Sequence, residues 1–213
     1  MKNMDHIILP NNVKTQRKTE CLADFHNNSN RLSDCTLCPR ECHVNRLKGQ
    51  RGRCHETAEI VVARAALHMW EEPCVSGSAG SGAVFFSGCC MGCIFCQNHN
   101  IAEAKAGKVI TTDRLAEIFL ELQSQGAANI NLVTPTHYVP QIITALELAK
   151  AKGMDLPVVY NTSGYEKAET LQMLKGYVDV YLPDFKYMEM ELAKAYSYAE
   201  DYPAYAKAAI KEM

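Results

Sequence analysis

Three cysteines, Cys89, Cys93 and Cys96, stand in the spacing C-x3-C-x2-C within Ser87-Gly88-Cys89-Cys90-Met91-Gly92-Cys93-Ile94-Phe95-Cys96. Three thiolates can hold three corners of a cubane four-iron four-sulfur cluster. Such a cluster ordinarily takes four cysteines, so three leave one iron open to an exchangeable ligand. That layout suits a reactive cluster better than a simple electron carrier. The alternative is a closed zinc site with Cys90 as fourth thiolate, but zinc ligands usually come as two separated pairs, and adjacent Cys89 and Cys90 would strain a tetrahedron. A second frame, C-x2-C-x2-C, starts at Cys90; Gly88 favours Cys89 and leaves Cys90 a spare thiol.

A second group precedes it: Cys35, Cys38, Cys42 and Cys54, spaced C-x2-C-x3-C-x11-C. Four thiolates at this spacing can close a zinc tetrahedron or an auxiliary iron-sulfur cluster, and the spacing does not choose between them. Four reduced thiols in a metal-free knuckle are the plain alternative. Arg46, Lys48, Gly49, Arg51, Gly52 and Arg53 lie between the last two, as expected of a turn that orders around an ion. Cys21 lacks a neighbour at ligand spacing and reads as a surface thiol, and Cys74 and His68 as packing residues.

The chain of 213 residues carries 22 basic and 24 acidic side chains, which makes no electrostatic case for nucleic acid or an anionic membrane. Ten cysteines in short metal-like spacings indicate a reducing compartment and a cytoplasmic protein. The run Ile7-Ile8-Leu9 is too short for a secretory signal, and no stretch approaches the ~18 apolar residues of a membrane span. Residues 1–30 read as an irregular arm, 31–75 as the cysteine-rich segment and 76–213 as the main α/β unit. Ser76 to Gly82 lacks the lysine of a phosphate loop and reads as a tight entry into a strand.

Ile60 to His68 alternates as a strand. From Ala83 onward strand and helix patterns take turns. Strands are expected at 83–87, 129–133, 156–160 and 177–182. Helices are expected at 113–125, capped by Thr111 or Thr112 and stopped by Gly126, and at 139–152, 167–175 and 204–213. Such alternation argues for parallel βα units, whose polar residues gather just past the strand ends. Those ends carry Thr134-Pro135-Thr136-His137, Asn161-Thr162-Ser163-Gly164 and Asp184-Phe185-Lys186, with His137 expected as a cap or rim residue.

On the cluster loop, the strand ends and the N-terminal cysteines together, the chain resembles radical SAM proteins, in particular those related to pyruvate formate-lyase activating enzyme. The resemblance covers nearly everything from Cys35 onward. It implies a partial parallel (βα) barrel, a [4Fe-4S] cluster on Cys89, Cys93 and Cys96, and S-adenosylmethionine on the open iron. It places Phe95 near the adenine, and Lys186 on the methionine carboxylate. Asp184 and Thr162 would hold a monovalent cation or position the cofactor, and Thr134 or Thr136 would meet its amino group. Asn161 stands where the activating enzymes have aspartate. Thr134-Pro135-Thr136 replaces the usual glycine, glycine and glutamate. The superfamily barrel needs about six strands and this pattern supplies four, so the core is expected to be cut short after four βα units or completed by a second chain.

The implied activity is reductive cleavage of S-adenosylmethionine to a 5'-deoxyadenosyl radical that abstracts hydrogen. The resemblance points to a glycyl-radical protein as target and to a flavodoxin or ferredoxin as electron donor. No catalytic side chain is assigned. A catalytically incomplete metal-binding fragment and a two-cluster electron-transfer module are the readings from other classes.

Overall fold

The computed structural model describes residues 31–213; the arm expected over 1–30, Cys21 included, lies outside the described residues. A six-stranded mixed sheet runs through the protein. Its strands are β1 (Ile60–His68), β2 (Ser81–Phe86), β3 (Lys108–Ile110), β4 (Ile130–Val133), β5 (Val158–Thr162) and β6 (Val180–Pro183), in the order β3-β1-β2-β4-β5-β6. β2, β4, β5 and β6 are parallel neighbours, while β1 pairs antiparallel with both β2 and β3.

The four expected parallel strands and the expected strand at Ile60–His68 are therefore present, and one short strand, β3, joins them. β1 also lies N-terminal to the boundary expected at residue 75, yet it hydrogen-bonds β2 along most of its length. β3 escapes a sequence reading because it is three residues long and its first two residues are exposed.

Helices α1 (Thr112–Ser124), α2 (Val139–Ala151), α3 (Ala168–Met173), α4 (Met190–Ser197) and α5 (Tyr202–Glu212) complete the fold. α1 starts where Thr111 Oγ1 accepts the Arg114 N–H at 3.1 Å. Its buried Leu115, Ile118, Phe119 and Leu122 recur at helical spacing. They join Val84, Phe86, Ile130, Leu132, Ile142 and Leu146 in the main core, so α1 and α2 cover one face of the sheet. α4 was not anticipated; Met190 and Leu192 leave much of its apolar surface exposed, which blurs the period.

The N-terminal segment is held to this core by a buried cation. Arg46 is 1% exposed, donates to His137 O and Thr57 O at 2.6 Å each, and stacks 5.5 Å from the Tyr138 ring. Replacing it by Met strands the buried His137 carbonyl and the half-buried Thr57 carbonyl. Arg46→Met is expected to lower stability by about 3 kcal/mol, read as a shift of the urea midpoint at constant slope.

Candidate metal and cofactor site

The cluster loop begins where β2 ends. Gly88 has φ 84°, and a Cβ there would collide with the Cys54 carbonyl and lie 2.6 Å from Glu56 Cγ. Only glycine lets the chain turn so close beneath the N-terminal segment. Gly92, at φ 68°, repeats the device against the Arg53 guanidinium. Beneath the turn lies His137, 2% exposed, whose Nε2 is 2.6 Å from Ser87 O. Burial, reinforced by Arg46, lowers its pKa to about 3, so the ring is neutral, Nε2–H donates and Nδ1 is left bare. His137 is thus a buried support of the loop, where a cap or rim residue was expected.

Cys89, Cys93 and Cys96 open onto one cavity of about 260 Å³, lined also by Arg53, His55, His99 and Tyr198. Cys90 does not line it. A smaller cavity of about 70 Å³ runs from Cys89 and Cys96 to Val133 and Thr134 at the end of β4. The Cys89 thiol is lowered to about 6 by a hydrogen bond from Cys90, against its burial, with the Gly92 and Met91 N–H groups adding to the effect. Thiolate is the form that binds iron. Cys93 Sγ accepts from Ser197 Oγ at 2.9 Å.

Among the described residues no group of three or more His, Cys, Asp or Glu converges as a single metal ion requires. Three thiols lining one shared cavity suit a cubane, each of whose cysteine ligands sits on a different iron. The residues present fit the cluster.

In the N-terminal group Cys35, Cys38 and Cys54 are buried, and burial pushes Cys54 up to about 11. Cys42 Sγ accepts the Arg53 backbone N–H, 3.3 Å from its nitrogen. Cys38 exchanges a hydrogen bond with Cys90. Cys90 is therefore the contact between the two cysteine groups. Cys74, expected to be packed, is exposed.

The strand ends are arranged only partly as expected. Thr134 caps β4 at φ 57°, a left-handed conformation that is strained for a β-branched residue, and lines the smaller cavity. Thr136 and Thr162 do not face that space. Their hydroxyls donate to one oxygen of Glu166 at 2.6 and 2.5 Å, and the Tyr160 hydroxyl joins them at 3.3 Å. Glu166 is fully buried, its Oε2 has no partner, and burial raises its pKa to about 7. Sequence reasoning passed over Glu166, since a lone glutamate six residues past mid-strand carries no sign of burial.

Asn161 uses its carbonyl to accept the Thr134 N–H at 3.0 Å, joining the ends of β4 and β5. Tyr202 joins β5 to β6: its hydroxyl accepts the Lys186 N–H at 2.8 Å and faces the carbonyls of Ser163 and Asp184. Lys186 Nζ reaches Asp184 Oδ2 at 2.9 Å. Burial presses the Lys186 ammonium downward, but Asp184 and the thiols of Cys93 and Cys89 outweigh it and raise its pKa. Phe95 is 55% exposed, its ring edge-on to Tyr187 and Tyr196 at 6.3 and 6.5 Å.

Residues 83–213, from β2 through the cluster loop to the end of the chain, match the family model described as the radical SAM superfamily. The chain belongs to that superfamily. An uncharacterised protein of Methanocaldococcus jannaschii is 31% identical over 182 residues, covering 81% of this chain and 51% of that protein. The chain thus spans about half the length of the curated relative it matches. Radical SAM membership carries with it the [4Fe-4S] cluster and S-adenosylmethionine, which is consistent with the three-thiol loop described above.

Proposed function

We propose that this chain is a radical SAM enzyme of the activating type, acting on an unactivated carbon of a protein substrate, with a glycine α-carbon of a glycyl-radical protein as the leading target. The single observation that carries the reading is the convergence of Cys89, Cys93 and Cys96 on one cavity, with the Lys186 ammonium beside the loop. When bound, cluster and S-adenosylmethionine supply reductive cleavage of the sulfonium and a 5'-deoxyadenosyl radical for hydrogen abstraction.

The chain's own residues bind and orient. Cys89, Cys93 and Cys96 hold the cluster. Lys186 releases Asp184 to take the methionine carboxylate, and Phe95 flanks the adenine. Thr134 supplies a strand-end hydroxyl on the smaller cavity beside Cys89 and Cys96, while Glu166 fixes Thr136 and Thr162 from beneath.

A macromolecular substrate is favoured by the rim. Ile94, Phe95 and Tyr198 on or beside the cavity, and Met188 and Met190 at the start of α4, are all more than half exposed. Such a concentration of apolar surface is what a protein partner covers. All nine cysteines among the described residues are free, as a reducing cytoplasm and a flavodoxin or ferredoxin donor would suit. Among the described residues no helix is long and apolar enough to cross a membrane. An auxiliary cluster on Cys35, Cys38, Cys42 and Cys54 would show as roughly eight irons per chain instead of four.

The test is anaerobic incubation of the reconstituted chain with S-adenosylmethionine, a reductant and a candidate glycyl-radical protein, followed by electron paramagnetic resonance. A glycyl signal on the partner is expected. Its absence while 5'-deoxyadenosine accumulates would remove the glycyl target.

A further inference from the structure

The C-terminal end of α4 is docked onto the cluster loop by more bonds than its own capping needs. The Tyr196 carbonyl accepts the Ile94 N–H at 2.9 Å. Ser197 Oγ donates to Cys93 Sγ at 2.9 Å, and Tyr187 Oη lies 2.6 Å from Ser197 Oγ. Since the serine proton is committed to sulfur, the tyrosine must be the donor in that pair. Tyr198 closes the helix at φ 53°, a left-handed conformation uncommon for an aromatic residue.

What holds this turn is Arg40, from the N-terminal cysteine segment. Its guanidinium donates to Ser197 O at 2.9 Å and to Tyr198 O, and on the other side to Cys90 O at 2.9 Å and Met91 O at 3.3 Å. One planar cation therefore clips the helix end to the loop between two cluster ligands. Arg53 braces the same turn, stacked 5.4 Å from the Tyr198 ring with a bond to Met91 O.

We propose that Ser197 is a positioning residue for the cluster, a hydrogen-bond donor to the Cys93 ligand that sets the cluster's reduction potential, with Tyr187 orienting the hydroxyl and Arg40 holding the helix end in place. This rests on the radical SAM reading above. A donor to ligand sulfur stabilises the reduced cluster, which carries the extra negative charge, and so raises its potential. Partners of a ligand commonly matter tenfold or more to what the ligand does. Strain at Tyr198, maintained by bonds from three directions, is consistent with a position kept for this contact.

The experiment is a redox titration of the full chain, reconstituted anaerobically and followed by the reduced-cluster paramagnetic signal. Ser197→Ala is expected to move the midpoint to more negative potential by about tenfold in the reduction equilibrium, 59 mV for one electron. Ser197→Thr, which keeps the hydroxyl, returns it toward wild type, and Tyr187→Phe moves it the same way by less. Unchanged midpoints in Ser197→Ala and Tyr187→Phe overturn the proposal; if Ser197→Ala holds no cluster, the Tyr187→Phe midpoint alone decides. A wild-type chain that assembles no [4Fe-4S] cluster overturns the underlying reading, and the proposal with it.

Discussion

Cys89→Ala, Cys93→Ala and Cys96→Ala are each expected to leave the reconstituted chain without its cluster and to reduce 5'-deoxyadenosine formation to the cluster-free background, whereas Cys90→Ala is expected to keep both. The contrast follows from where the four sulfurs point. Three face the cavity of about 260 Å³; Cys90 is 1% exposed and turned to Cys38 and Cys89. Two thiolates cannot retain a cubane that already lacks its fourth protein ligand. Cys90→Ala removes a hydrogen bond that holds Cys89 toward its thiolate form, so iron incorporation should slow without a loss of final content. Iron and sulfide analysis with ultraviolet-visible spectra checks each variant. Full cluster content in Cys89→Ala, or none in Cys90→Ala, would show that the frame begins one residue later.

The second large effect concerns stability and pH. Glu166 accepts three hydroxyls in a fully buried site, so Glu166→Ala leaves Thr136, Thr162 and Tyr160 short of an acceptor, at a cost of about 3 kcal/mol or more. The carboxyl has an ordinary pKa of 4.5 and a folded value of about 7, raised chiefly by burial. Between those values the folded state binds the proton that the unfolded state has lost. Its contribution is thus fully present below pH 4.5 and disappears as pH rises through 7, a change of about 3 kcal/mol.

His137 works in the opposite direction. Burial lowers its pKa from 6.5 to about 3, so stability is lost as pH falls below 6.5, by about 5 kcal/mol in the limit. The two slopes oppose each other between pH 4.5 and 6.5, where the cluster-free chain should be nearly flat. Glu166→Gln removes one of them and keeps an acceptor for the hydroxyls. Its denaturant midpoint, relative to wild type, should therefore climb from pH 5 to about pH 7 and level off by pH 8. A constant difference across that range would mean that Glu166 is ionised throughout.

Much of the site was legible because iron-sulfur ligation is written in local spacing. Cys89, Cys93 and Cys96 need only a loop after a strand, and both are readable: β2 as the apolar run to Phe86, the loop from its glycines. α1 and α2 were also legible, one from its Thr111 cap and apolar stripe, the other from its apolar length. What was hidden depends on contacts distant in sequence. Glu166 and His137 look like ordinary polar residues until the sheet buries them. Arg40 meets Cys90 and Ser197 at separations of 50 and 157 residues, which no periodicity can indicate. The role of the N-terminal segment's arginines was hidden for the same reason: Arg40 and Arg53 reach across to the carbonyls of the cluster loop.

The central claim is that this chain holds a site-differentiated cluster that cleaves S-adenosylmethionine. The most direct measurement is 5'-deoxyadenosine produced by the 213-residue chain, reconstituted anaerobically with iron and sulfide and supplied with S-adenosylmethionine and dithionite. Product well above that of the Cys93→Ala variant is the predicted result. An intact four-iron cluster that yields no more product than Cys93→Ala would contradict it.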